Sequence, residues 1–176
     1  MVFSLVFLAG TLIFFITPLI FPAINLPQLV TQKQSDFLSL ERANSYIGIK
    51  PLSPNFKSFL SNLPQALSHT LFRPYIGDYK LSLPLIPFIA ELILYQLLFI
   101  LFLFFRSKCV AERSFILFCI FFSLFILLII GYTVPVLWAI ARYRAIYLPF
   151  LLTPVICGID YKKIATIFKL NNNYIF

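Results

Sequence analysis

Residues 114–134 read SFILFCIFFSLFILLIIGYTV, a run without a single charged side chain. As an α-helix rising 1.5 Å per residue, such a run is about 30 Å long, the thickness of a bilayer's hydrocarbon core. The stretch therefore predicts a membrane-crossing helix, and it sets the class of the whole chain. Gly131 and Pro135 mark its end or a kink.

Working outward, the preceding eight residues, RSKCVAER, form a tight basic turn at 106–113. Before that turn lies LSLPLIPFIAELILYQLLFILFLFF, read as a span over about 83–105 with one charge, Glu91. Residues 1–32 carry no charge at all, and 3–24 reads as another span. It lacks the basic start and the small-residue cleavage site of a secretory signal, so it is expected to be a retained helix that Pro18 and Pro22 end or kink. Downstream, AIYLPFLLTPVICGI gives only 15 apolar residues, Ala145 to Ile159, and contains Pro149 and Pro154. That is short for a span. A fourth crossing over about 145–160 must borrow flanking residues or enter the membrane as a broken segment. The tail, with Lys162, Lys163 and Lys169, is basic and then polar.

Composition agrees with this reading. The chain of 176 residues is 61% hydrophobic, 18% aromatic and 11% charged, against about 25% charged in soluble domains. A soluble protein of this size has no interior large enough to hide 22 Phe residues. The formal net charge of +8 would suggest nucleic acid in a soluble protein. Here the basic residues flank apolar runs, which points instead to anionic lipid head groups and to orientation in the bilayer, with no nucleic-acid partner. Cys109, Cys119 and Cys157 have no metal-motif spacing, and no disulfide, metal or cofactor is expected.

Residues 33–80 differ from the rest. Asp36, Glu41 and Asp78 lie here with Lys33, Arg42, Lys50, Lys57, Arg73 and Lys80, so this is the long extramembrane segment. Ser53 as N-cap and Pro54 at the first helical position predict a helix start. Phe56, Phe59, Leu60, Leu63, Ala66, Leu67 and Leu71 then recur at helical spacing, with Lys57, Ser58, Ser61, Asn62, Gln65, Ser68 and a solvated His69 opposite. Pro64 should kink or restart this helix and Pro74 stop it. Its apolar face either lies in the membrane interface or packs on the other helices. DFLSLERANSYIGI, just before, reads as a shorter helix of the same kind. The expected fold is all-α: a multi-pass helical membrane protein with about four transmembrane helices and an extramembrane amphipathic helical segment.

If all four runs cross, the 106–113 turn and the tail share one side. Short basic loops stay in the cytoplasm, so both termini are expected there and 33–80 on the outer side of the cell membrane.

Four residues are candidates for a site. Glu91, about 15 Å along its helix if the span starts near Leu81, is costly at mid-bilayer unless paired, neutral or functional. If the span starts at Pro87, it lies shallow. Tyr95 shares its face one turn on. Arg142 and Arg144, in WAIARYRAIYLPFLL, read either as interfacial anchors within an aromatic belt of Trp138, Tyr143 and Tyr147, or as a phosphate-recognition pair. Glu91 would then partner one of them. Arg73 is placed on the same side.

Two stretches, LPQALSHTLFRPYIGDY followed by AELI, and GYTVPVLWAIARYRAIYLPFLL, resemble the C-terminal part of uncharacterised polytopic membrane proteins of bacteria, over most of residues 35–155. The arrangement is also loosely similar to integral-membrane glycosyltransferases that use polyprenyl-phosphate sugars. Their catalytic acid sits in an early outer loop, and no match to that loop is present here. The resemblance implies a part in, or accessory to, cell-envelope glycan or lipid-linked sugar assembly, with Arg73, Arg142 and Arg144 contacting phosphate. Its implied partners are membrane lipids, a polyprenyl-phosphate-linked sugar and other membrane subunits. It leaves catalysis itself undecided, and it leaves open that the chain is a piece of a longer protein. The competing expectation is a non-catalytic membrane scaffold or transporter component. Transport is the weaker branch, because one intramembrane charge and no internal repeat are found.

Overall fold

The computed structural model describes residues 2–21, 24–40, 45–75, 86–107 and 112–167. Its elements are α1 (Val2–Ile20), α2 (Leu26–Ser39), α3 (Phe56–Phe72), α4 (Ile86–Phe104), α5 (Arg113–Thr133), α6 (Leu137–Cys157) and α7 (Tyr161–Ile167). No strand occurs among the described residues; two isolated bridges join Tyr46 to Val136 and Arg106 to Ile159. The fold is all-α, and α1, α4, α5 and α6 are each long and apolar enough to cross a membrane.

The charge-free run that opened the sequence is α5, the hub of the bundle. The core clusters Leu127, Ile130 and Val134 from its end with Leu137, Ile140 and Tyr147 of α6 and with Ile47. Ser123 donates across the α5–α6 interface to the carbonyl of Tyr147 at 3.2 Å. The turn between the two helices is held by the extended stretch 45–47. Leu137 donates its N–H to the carbonyl of Ser45 at 2.9 Å, and Ile47 donates to that of Pro135 at 2.7 Å. The first bond satisfies an N–H that the start of a helix leaves without an internal partner.

α6 corrects the expected fourth span. It runs over 21 residues, starting at Leu137 rather than near 145. The short run gains its length entirely upstream, so Arg142 and Arg144 lie within the helix and not on a surface loop. Pro149 and Pro154 sit inside it. They leave the carbonyls of Ala145 and Phe150 without their usual donors, a loss that spans tolerate.

The 33–80 segment departs most from expectation. Its first helix, α2, ends at Ser39, so the helix expected over 36–49 is shifted towards the N-terminus and Tyr46–Ile49 are extended. α2 begins at a cap from Asn25, whose Oδ1 accepts the N–H of Gln28 at 3.0 Å. Asn55, not Ser53, caps α3, its Oδ1 accepting the Ser58 N–H at 2.8 Å. Pro64 lies inside α3 without ending it, and Arg73 before Pro74 closes it.

α3 crosses the bundle as a strap. At its start, Phe56 and Phe59 meet Phe15 of α1 edge-on, with ring centroids 5.2 and 5.3 Å apart. Midway, Ala66 lies against Gly131 of α5, and a Cβ on that glycine would come within 2.5 Å of the Ala66 carbonyl oxygen. At its end, α3 reaches α6 and α4. The buried face is Phe59, Asn62, Ala66, His69 and Thr70, whereas Phe56 and Leu60 are each 56% exposed. Phe59 and Ala66 of the expected apolar face thus pack on the bundle, with Leu67 and Leu71 against its core, and Lys57 and Ser61 of the expected polar face are exposed; Asn62 and His69 depart from expectation, being buried, so His69 is not solvated. The Ala66–Gly131 contact follows a membrane rule, that interfaces between helices favour small residues.

The far end of the bundle is closed by backbone bonds. Ser107 donates to Gly158 at 2.8 Å and Asp160 to Phe105 at 2.7 Å. The ends of α4 and α6 and the start of α5 therefore share one face. Phe7 of α1 stacks near Phe121 of α5 at 5.0 Å, so the start of α1 points to that face too. α2 and α3 lie towards the other. Pro22, Glu41, Arg42, Asp78, Lys80, Leu81, Pro84, Lys108, Cys109 and Lys169, all used in the sequence reading, lie outside the described residues.

Candidate functional site

The end of an α-helix leaves its last carbonyls without internal donors. At the end of α3 those carbonyls receive donors from other helices. Tyr147 of α6 donates its hydroxyl to the Thr70 carbonyl at 3.0 Å. Tyr95 of α4 donates to the carbonyl of Leu71. Arg144 of α6 donates through Nη2 to the carbonyl of Arg73 at 2.5 Å. A cation there also complements the negative end of the helix dipole.

Arg144 is the centre of this arrangement. It is 1% exposed, among the largest fully buried side chains of the bundle. Its guanidinium carbon lies 5.6 Å from the centre of the Tyr95 ring, and its charge acts on the phenols of both Tyr95 and Tyr147. Its Nε and Nη1 are buried without a hydrogen bond of good geometry, although the Tyr147 hydroxyl lies beside the guanidinium. A buried guanidinium whose N–H groups are so poorly met carries a large desolvation cost. Among the described residues, the ion pair within 4.0 Å joins Lys33 to Asp36, far from this arginine in sequence.

The structure separates the candidates. Arg144 and Arg73 meet at the end of α3, through a side chain and a carbonyl. The Arg73 guanidinium lies 5.2 Å from the Tyr75 ring centre. Arg142 is exposed on another face of α6, because residues two apart on a helix point in nearly opposite directions. Glu91 is half-buried and forms no ion pair within 4.0 Å with either arginine. It lies one turn before Tyr95 on α4 and shares its face, so it is near the Arg144 neighbourhood without touching it. Of the expected aromatic belt, Trp138 is half-buried and Tyr143 exposed. Tyr147, 1% exposed, is a core residue.

Gln34 is not among the residues that the sequence pattern singles out. This buried side chain donates to the carbonyls of Tyr132 at 2.8 Å and Lys50 at 3.1 Å, and accepts the Leu52 N–H at 2.6 Å. It pins α2 and the extended chain to the end of α5. Thr70 is not among them either. The available signal was a set of neutral polar residues in helices whose surroundings are apolar.

Fold and site together define an all-helical, multi-pass membrane protein with a buried arginine at a helix end. Compared with known proteins, the chain matches no family model, no curated protein and no solved structure.

Proposed function

We propose that this membrane protein recognises a lipid phosphate and takes part in, or assists, the assembly of lipid-linked sugars of the cell envelope. The observation that carries the reading is the Arg144 guanidinium. It is buried, beside Arg73 at the end of α3, with Nε and Nη1 lacking a hydrogen bond of good geometry. Nη2 gives one of its two N–H groups to Arg73, so its second N–H and the one beside it, on Nε or on Nη1, form an edge that can make paired hydrogen bonds to a phosphate. A phosphate held at that edge would take one of these poorly met donors and supply the missing counter-charge. Tyr95, Tyr147 and Glu91 would shape the surroundings. Arg142, on a separate exposed face, would hold head groups less selectively.

The test is binding of polyprenyl phosphate to the purified protein and to its Arg144→Gln, Arg73→Gln and Arg142→Gln variants. Loss of one charge-assisted hydrogen bond weakens binding by about tenfold or more. That loss is expected for Arg144→Gln and Arg73→Gln, with a smaller effect for Arg142→Gln. Since Arg144 also caps α3, Arg144→Lys is measured beside it together with thermal unfolding. The lysine variant should keep the fold and bind less tightly, because an ammonium cannot make the paired contact. Binding equal to the parent in all four variants would refute the reading.

A further inference from the structure

Arg144 is 1% exposed, so a phosphate cannot reach its guanidinium unless an element moves. The elements around it are not equally free to do so. α6 carries the arginine and is joined to α5 by their shared core and by the Ser123 bond to the Tyr147 carbonyl. α3 lies with Ala66 directly on the backbone at Gly131. α4 is the element that covers Arg144, through the Tyr95 ring. Of its 19 residues, Leu92 and Tyr95 are the buried ones. Ile93, Leu94 and Leu97 are at least half exposed, so beyond α4 lies lipid.

α4 and α6 run side by side in the same direction. Phe88 meets Trp138, with ring centroids 5.4 Å apart, Tyr95 meets Arg144, and Phe102 lies against Gly158. The two ends of this contact are held differently. Near α7, Ser107 and Asp160 donate backbone hydrogen bonds to Gly158 and Phe105, and backbone groups are costly to leave unmet where water is scarce. The first half of α4 is held by the Phe88 ring, by Ile89 against the core and by the buried Leu92. Lipid tails are as apolar as these side chains and can replace them. What remains to fasten that half is Tyr95, its hydroxyl on the Leu71 carbonyl and its ring over the guanidinium.

We infer that the phosphate lipid enters sideways from the bilayer past the first half of α4, which swings on its end near α7, with Tyr95 as the latch. The inference rests on the lipid-phosphate reading of Arg144. Arg144 is the eighth of the 21 residues of α6, about 10 Å from its start, so the phosphate enters without crossing mid-bilayer and its chain stays in lipid.

The test follows binding and release of a fluorescent polyprenyl phosphate in detergent. After Cys109→Ser, Cys119→Ala and Cys157→Ala, cysteines are placed by Phe88→Cys with Trp138→Cys. They are joined by a short bis-methanethiosulfonate linker that a reductant removes. The linked protein should bind about tenfold more slowly, or worse, than the same protein after reduction, because the opening that binding requires is blocked. Arg106→Cys with Ile159→Cys, linked across the bridge that pairs these residues, should leave the rate unchanged, because that end does not open. Tyr95→Phe in the otherwise native chain keeps the ring and removes the hydroxyl bond. Binding and release should both quicken, by about threefold for an interhelical bond of average strength. If thermal unfolding shows that the Phe88–Trp138 pair harms the fold, Tyr95→Phe decides alone. Equal rates with and without the Phe88–Trp138 linker would overturn the inference and leave the Arg144 reading standing. So would equal slowing by the Arg106–Ile159 linker, or Tyr95→Phe rates equal to the parent's. A parent that binds no polyprenyl phosphate would remove the Arg144 reading and this inference with it.

Discussion

Gly131 is where one missing atom decides how two helices meet. An added Cβ would lie 2.5 Å from the Ala66 carbonyl oxygen and 2.9 Å from its Cα. These are backbone atoms and cannot swing aside, so α3 would have to lift from α5. Gly131→Ala is expected to destabilise the protein by about 1–3 kcal/mol, the usual result of overpacking a tight contact; thermal unfolding in detergent measures it. Gln34 acts by hydrogen bonding instead. Its amide oxygen takes the buried Leu52 N–H and its nitrogen serves the carbonyls of Lys50 and Tyr132. Gln34→Leu keeps the volume and removes all three bonds. Leaving the Leu52 N–H unsatisfied costs about 1–3 kcal/mol, and trypsin should cut more readily after Lys33 and Lys50 if α2 loosens. Unchanged cleavage and unchanged unfolding would show that α2 is held by other contacts.

At the scale of the element, α3 is tied down by hydroxyl groups. Tyr132, Tyr147 and Tyr95 donate to the carbonyls of Phe59, Thr70 and Leu71. A Tyr→Phe change at each site removes one oxygen and little else. Interhelical hydrogen bonds in membranes contribute about 0.6 kcal/mol on average, so each single change should be mild. The triple change should free α3 alone: amide exchange across 56–72 should quicken while α5 and α6 keep their protection. Faster exchange throughout would mean that the strap holds the whole bundle. The strap also shows what the sequence could reveal. α5 was legible almost to the residue, because an uncharged apolar run of that length has only one stable setting. α4 was legible in the same way over its described residues. The length of α6 was not, because Arg142 and Arg144 read as an interruption, whereas the helix buries one and exposes the other. The faces of α3 were legible in part. Phe59 and Ala66 pack as an apolar face should, but Asn62 and His69, which look water-facing on a helical wheel, are buried beside them. The candidate site was half legible: the arginines were picked out, but the carbonyl acceptors at the end of α3 leave no mark in a residue pattern.

At the scale of the whole molecule, backbone bonds fix which ends lie together. The Ser107–Gly158 and Asp160–Phe105 bonds put the α4–α5 turn and α7 on one face, and the Phe7–Phe121 contact brings the start of α1 towards it. The strap and the 45–47 stretch lie at the opposite face. On the first face Arg106, Arg113, Lys162 and Lys163 sit in short segments, where basic charge governs orientation. Lys33, Lys50, Lys57 and Arg73 belong to the long segment, which carries less weight. We therefore propose that the face bearing α7 is cytoplasmic. Ser61 and Lys163 are exposed positions on the two sides. After Cys109→Ser, Cys119→Ala and Cys157→Ala, a cysteine is placed by Ser61→Cys or Lys163→Cys. In intact cells an impermeant maleimide should label the first at once and the second only after the membrane is opened. Labelling of both from one side would contradict the alternation of α4, α5 and α6 across the bilayer. The reverse pattern would keep that alternation and reject the orientation, and would mean that the charges of the long segment outweigh those of the short basic turn.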